Sequence, residues 1–151
     1  MRNELFTPGI YFEDTDWTPR MLLRAQRVAS TDLVVYNYLW REGSITLSQK
    51  DIAKMRKQLQ NKLELIGKLN TLGNSVACRR WFDGMISFLI INIIGIISST
   101  FYQERKQYIK QIKGLNILPI TTYHIAPRAQ RKVKLINLSL NFAVWLLYIK
   151  S

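Results

Sequence analysis

Twenty consecutive positions, residues 84–103, pass without one charged side chain, reading GMISFLIINIIGIISSTFYQ. As an α-helix rising about 1.5 Å per residue, this run covers roughly 30 Å, the hydrocarbon thickness of a bilayer. Arg79, Arg80 and Asp83 stand before it, and Glu104, Arg105 and Lys106 follow at once. Trp81 and Tyr102 sit near its ends, where amphipathic rings favour the headgroup layer. A chain of this kind has two ways to satisfy such a helix: cross a membrane, or bury it on all sides in a core. Isoleucine is an indifferent helix former in water, and that tilts the expectation towards lipid, where unpaired amides cost several kcal/mol each. Ser87, Asn92, Ser98, Ser99 and Thr100 can bond to backbone or to neighbouring helices.

Charge is distributed unevenly around this run. The whole chain carries 22 Lys and Arg against 10 Asp and Glu, a formal charge of +12. Up to Asp83 there are 13 basic and 9 acidic residues, whereas from Glu104 onward there are 9 basic and one acidic. An apolar element set in positive charge suits anionic phospholipid or an acidic protein partner. It also raises the possibility of nucleic acid, because Tyr102, Tyr108 and Tyr123 are interleaved with Arg105, Lys106, Lys110, Lys113, Arg128, Arg131 and Lys132. A nucleic-acid fold signature is missing, which makes that the weaker reading.

The N-terminal half reads as helices that need a partner. Residues 1–17, with Pro8-Gly9 and the acids Glu13, Asp14 and Asp16, are expected to form an extended arm without signal-peptide character. Thr18-Pro19 is an acceptable helix start, and Leu22, Leu23, Val28, Leu33, Tyr36, Leu39 and Trp40 recur on a broad face, predicting a helix over 18–41 that stops before Gly43. Ser48 and Asp51 suit the start of a second helix, whose seam is Ile52, Met55, Leu59, Leu63, Ile66, Leu69 and Leu72. Residues 47–55, LSQKDIAKM, resemble the opening of a helix-turn-helix. A tight turn should then follow Met55, but the apolar seam continues to Leu72, so a plain helix pair is the expectation.

Beyond the apolar run, residues 104–113 are expected to prolong the same helix, and Gly114, Pro119 and Pro127 to mark a basic loop over 114–132. Residues 135–149 are uncharged and end near Trp145 and Tyr148. As one helix of about 22 Å this stretch is short for a full span, with Lys134 and Lys150 placed to snorkel. Ile136, Leu138, Leu140 and Phe142 alternate with polar residues in the strand period, but the alternation stops at Phe142 and a helix is preferred.

The fold expected is therefore all-α: an amphipathic helical hairpin over 18–76, a transmembrane helix with a basic extension over 77–113, the loop, and a membrane-associated C-terminal helix over 133–151. No nucleophile, acid–base pair, metal set or phosphate cradle stands out, so neither catalysis, cofactor nor metal is expected. Cys78 beside Arg79 and Arg80 reads as a small packed residue, and the single histidine, His124, lacks ligand-spaced partners. What remains is an accessory subunit of a large membrane complex. The Ile/Lys/Asn-rich basic composition suggests the mitochondrial inner membrane, in a respiratory complex or ATP synthase. Two alternatives are a peripheral ribosome-like nucleic-acid binder and a small bacterial or phage membrane protein that oligomerises. On the leading reading, Arg79, Arg80, Arg105 and Lys106 contact lipid headgroups, while Asn92 and Gly95 pack against other membrane helices.

Overall fold

The computed structural model describes residues 5–37, 39 and 51–150. Trp40, Arg41, Gly43 and Ser48, which belong to the expected helix pair, lie outside the described residues. Among the described residues there are six α-helices and one short 3-10 turn, and no strand. The chain divides into two compact units, Met1–Gln58 and Leu59–Ser151.

In the first unit the helix α1 spans Glu13–Arg24, so it begins inside the expected arm and ends well short of residue 41. Glu13, Asp14 and Asp16 occupy its first turn, where carboxylates favour the positive helix end. Asp16 is buried and anchors the segment before it: the Thr7 hydroxyl donates to Asp16 Oδ2 at 2.7 Å, and Arg20 Nη2 donates to the same oxygen at 3.0 Å. Phe6 stacks on Trp17 with ring centroids 4.9 Å apart. The arm is thus folded back onto α1. After Arg24 the backbone becomes extended at Ala25, and residues 26–37 take up neither helix nor strand. Ser30, Thr31 and Asp32 favour that outcome, because their side chains offer the backbone alternative partners; Leu33 N donates to Thr31 Oγ1.

Helix α2, Ile52–Asn74, runs without a turn after Met55, as the seam predicts. Asp51 caps it, accepting from Ala53 N at 2.9 Å. In the second unit α2 contributes Leu59, Ile66 and Leu69 to a core centred on α3, Arg79–Ser99. The apolar run does form a helix, and this helix is long and apolar enough to cross a membrane. Over half of its most apolar window is nevertheless buried within the protein, including Phe82, Ile86, Ile90, Ile93, Ile94 and Ile97.

Two expectations for the second unit are corrected. The helix does not continue to Lys113: α3 ends at Ser99, Thr100 N and Phe101 N close its last turn on Ile96 O and Ile97 O, and a 3-10 turn at Tyr102–Glu104 redirects the chain. Helix α4, Arg105–Gly114, then packs against α3. Nor is residues 135–149 a single helix. Helix α5, Pro127–Leu138, starts inside the expected loop with proline at its first turn, where no amide bond is lost. Ser139 is extended, with φ −163° and ψ 120°, and its hydroxyl accepts from Phe142 N at the start of α6, Leu140–Tyr148. The serine that fits the strand alternation is a helix cap. At 9 residues, about 13 Å, α6 is far too short to span a bilayer. Both α5 and α6 pack on α3 and on each other.

Candidate functional site

Arg79 opens α3 and ties it to the end of α2. Its Nε donates to Asp83 Oδ1 at 2.7 Å, Nη2 donates to Asn70 Oδ1 at 2.8 Å, and Nη1 donates to both Asn70 O and Asn74 Oδ1. Gly73 lets the two helices approach: a Cβ there would lie 2.9 Å from Phe82 Cβ. Arg79 is therefore a latch within the protein.

A cleft of about 270 Å³ lies beside this latch, between the first half of α3 and residues 116–121. Ser87 lines it, donating to Asp83 O at 2.7 Å and accepting from Thr121 N at 2.9 Å. The Asn137 amide holds the far side of the loop, pairing with Ile120 N and Ile120 O at 2.8 Å each. The Arg79–Asp83 ion pair neutralises the charge on the cleft wall, and the serine hydroxyl is already satisfied. The groups in this cleft hold the loop onto α3.

The other headgroup candidates are placed at both ends of α3. Arg80 lies over the Tyr123 ring at 4.2 Å and Arg105 over the Tyr102 ring at 4.2 Å, with Arg105 Nη1 also donating to Tyr102 O. Lys106 is exposed. Tyr102 is further stacked on Tyr148, centroids 3.7 Å apart, and Tyr108 is buried. The tyrosines that could have stacked on bases are thus engaged by the protein's own side chains.

Asn92 bonds to its own helix, and Gly95 faces open space among the described residues. Asn92 Nδ2 donates to Phe88 O of its own helix at 2.8 Å, and a Cβ on Gly95 would meet nothing within 4 Å. Close approach occurs instead at Gly73 and at Gly84, where a Cβ would lie 3.0 Å from Tyr123 O. With Phe88, which is 60 % exposed, Asn92 and Gly95 mark the open side of α3.

Cys78 is exposed at the N-cap of α3, and His124 is exposed in a left-handed conformation (φ 56°) with its ring against Tyr123. No three His, Cys, Asp or Glu side chains among the described residues gather closely enough to share a metal ion. One buried ionisable group stands in α2: desolvation holds the Lys62 ammonium below the ordinary lysine pKa.

The C-terminal stretch expected to associate with a membrane presents an exposed apolar surface, divided between two helices rather than carried by one. Helix α6 buries Leu140, Ala143 and Val144 and turns Phe142 (42 %), Trp145 (46 %) and Ile149 (55 %) outward. Phe142 and Trp145 stack with centroids 5.7 Å apart. Leu138, at the end of α5, is 76 % exposed. The signal was available in the Ser139-Leu140-Asn141-Phe142 cap, which splits the apolar stretch into two helices with separate outer faces. No protein-family model matches this chain, and neither any curated protein nor any solved structure is significantly similar to it.

Proposed function

We propose that this chain is a non-catalytic accessory subunit of a large membrane protein complex, seated at the membrane surface with α3 as the centre of its own helical unit. The observation that carries the reading is an outer face of large apolar side chains on a strongly basic unit, which calls for a covering partner. Seating at the surface is preferred to crossing because α4, α5 and α6 pack on α3 and bury over half of its most apolar window, and α5 brings Arg128, Arg131, Lys132 and Lys134. A Lys or Arg at the bilayer centre costs about 2.5–3.5 kcal/mol even on the most lenient scale. The exposed run Leu33, Val34, Val35 and Tyr36 in the first unit supports contact with protein subunits as well. For a mitochondrial inner-membrane complex, a respiratory assembly or ATP synthase, the support is the basic, Ile/Lys/Asn-rich composition.

Native electrophoresis of source membranes in mild detergent tests the proposal. The chain is expected to migrate with a large complex, and alkaline carbonate is expected to release it. Retention after carbonate would restore the spanning role of α3. A chain that migrates alone and binds RNA with steep salt dependence would replace the reading with the nucleic-acid one. Discrete self-assembly with membrane leakage would replace it with the oligomerising membrane protein.

A further inference from the structure

We infer that the outer face of α5 and α6 is a docking surface for an anionic phospholipid bilayer, which α6 enters lying flat. The inference rests on the membrane part of the proposed function and names the surface that performs it. On α5, Arg131, Lys134 and Leu138 follow at spacings of three and four, so two cations and an exposed leucine share one stripe. Arg131 and Lys134 are exposed. After the Ser139 break, Phe142, Trp145 and Ile149 form an exposed apolar stripe of their own at spacings of three and four, and Lys150 follows.

Three observations select lipid as the occupant. Apart from Asn141 and the Tyr148 hydroxyl, helix α6 is apolar on both its buried and its outer face, so water is a poor solvent for the outer one. The aromatic member is a tryptophan, whose ring has both an apolar body and an N–H donor suited to the headgroup boundary. Charge complementarity is one-sided: residues 105–151 contain nine Lys or Arg and no Asp or Glu. A short helix with aromatics on one side and lysines or arginines beside it is the pattern of an in-plane anchor, buried about 5–10 Å into the interface. RNA would be served by the cations but not by the exposed aliphatic Leu138 and Ile149; Phe142 and Trp145 are stacked on each other, and Tyr102 and Tyr123 are occupied by Arg105 and Arg80.

The test uses the full chain and flotation with vesicles of phosphatidylcholine alone or mixed with phosphatidylserine. Binding is expected only where phosphatidylserine is present. Arg131→Gln with Lys134→Gln should weaken it roughly thirtyfold, from about one kcal/mol per surface cation. Phe142→Asp with Trp145→Asp should abolish it while helicity by circular dichroism stays unchanged, since both side chains point outward. Lipids brominated along the acyl chain supply a readout independent of that double variant: quenching of tryptophan fluorescence should be lost in Trp145→Phe, which keeps Trp17, Trp40 and Trp81. Equal binding to neutral vesicles, undiminished binding by the Asp variant, or unchanged quenching in Trp145→Phe would overturn the inference. So would binding to RNA but not to vesicles. Absence of vesicle binding with the native-gel complex intact would remove this lipid face and leave the accessory-subunit reading; vesicle binding without the complex would do the reverse.

Discussion

Three glycines separate what a residue type permits from what its surroundings demand. A methyl group at Gly73 would sit 2.9 Å from Phe82 Cβ, and at Gly84 3.0 Å from a backbone oxygen, whereas at Gly95 it meets open space. Gly73→Ala and Gly84→Ala should each lose about 1–3 kcal/mol through overpacking. Gly95→Ala should gain about 0.5–1 kcal/mol, because alanine is the better helix former. Urea denaturation of the three variants checks the opposite signs. Lys62 gives a second prediction. Its pKa is lowered on folding by desolvation, so the unfolded chain binds more protons in the window between the lowered value and the ordinary one. Stability should therefore rise with pH through that alkaline window and be flat below it. Lys62→Met should raise the melting temperature at neutral pH and remove this part of the alkaline slope. A wild-type slope equal to that of the variant would contradict the assignment.

Among the elements, the breaks carry more information than the helices. Ser98 and Ser139 each sit in an apolar stretch that hydropathy alone would run together, but only Ser139 itself makes the break. Ser98 bonds back to Ile94 O as Ser87 does to Asp83 O in mid-helix, with α3 ending one residue later, while Ser139 leaves the helical region and caps α6. The position of the α5–α6 break is coupled to the loop beneath it, since Asn137 holds both backbone groups of Ile120. Asn137→Leu should cost about 2 kcal/mol, two hydrogen bonds with their backbone partners left unmet near the buried Ile120 side chain. Equilibrium unfolding measures this, and a loss below about 0.5 kcal/mol would mean that water replaces the amide. The strand-like alternation around Asn137 is real in the sequence, but of its polar members Asn137 is a loop clamp, Ser139 is a cap and Asn141 is exposed in the first turn of α6.

On the scale of the molecule, the two units should differ in how tightly they hold their amides. The α3 backbone sits in the core of the second unit and should exchange slowest, whereas residues 26–37 lack regular hydrogen bonding and should exchange at once. Hydrogen exchange followed by mass spectrometry reads both, and slow exchange at Leu33, Val34 or Val35 would show that this run is covered in solution.

The sequence by itself determined an all-helical chain, the apolar helix near residues 84–99, the unbroken α2 seam and the asymmetry of charge. Each of these follows from local periodicity, composition or capping, and Asp51 at the head of α2 is an instance. Only tertiary structure decided what covers α3, because length and hydropathy are the same for a helix buried by lipid and one buried by its own neighbours. It also decided where Arg79 and Gly95 sit. Arg79 is spent on Asn70, Asn74 and Asp83, and Gly95 faces open space, outcomes that depend on which helix ends meet. The outer face of α6 likewise became visible only when packing divided its apolar residues into those turned inward and those left in contact with solvent.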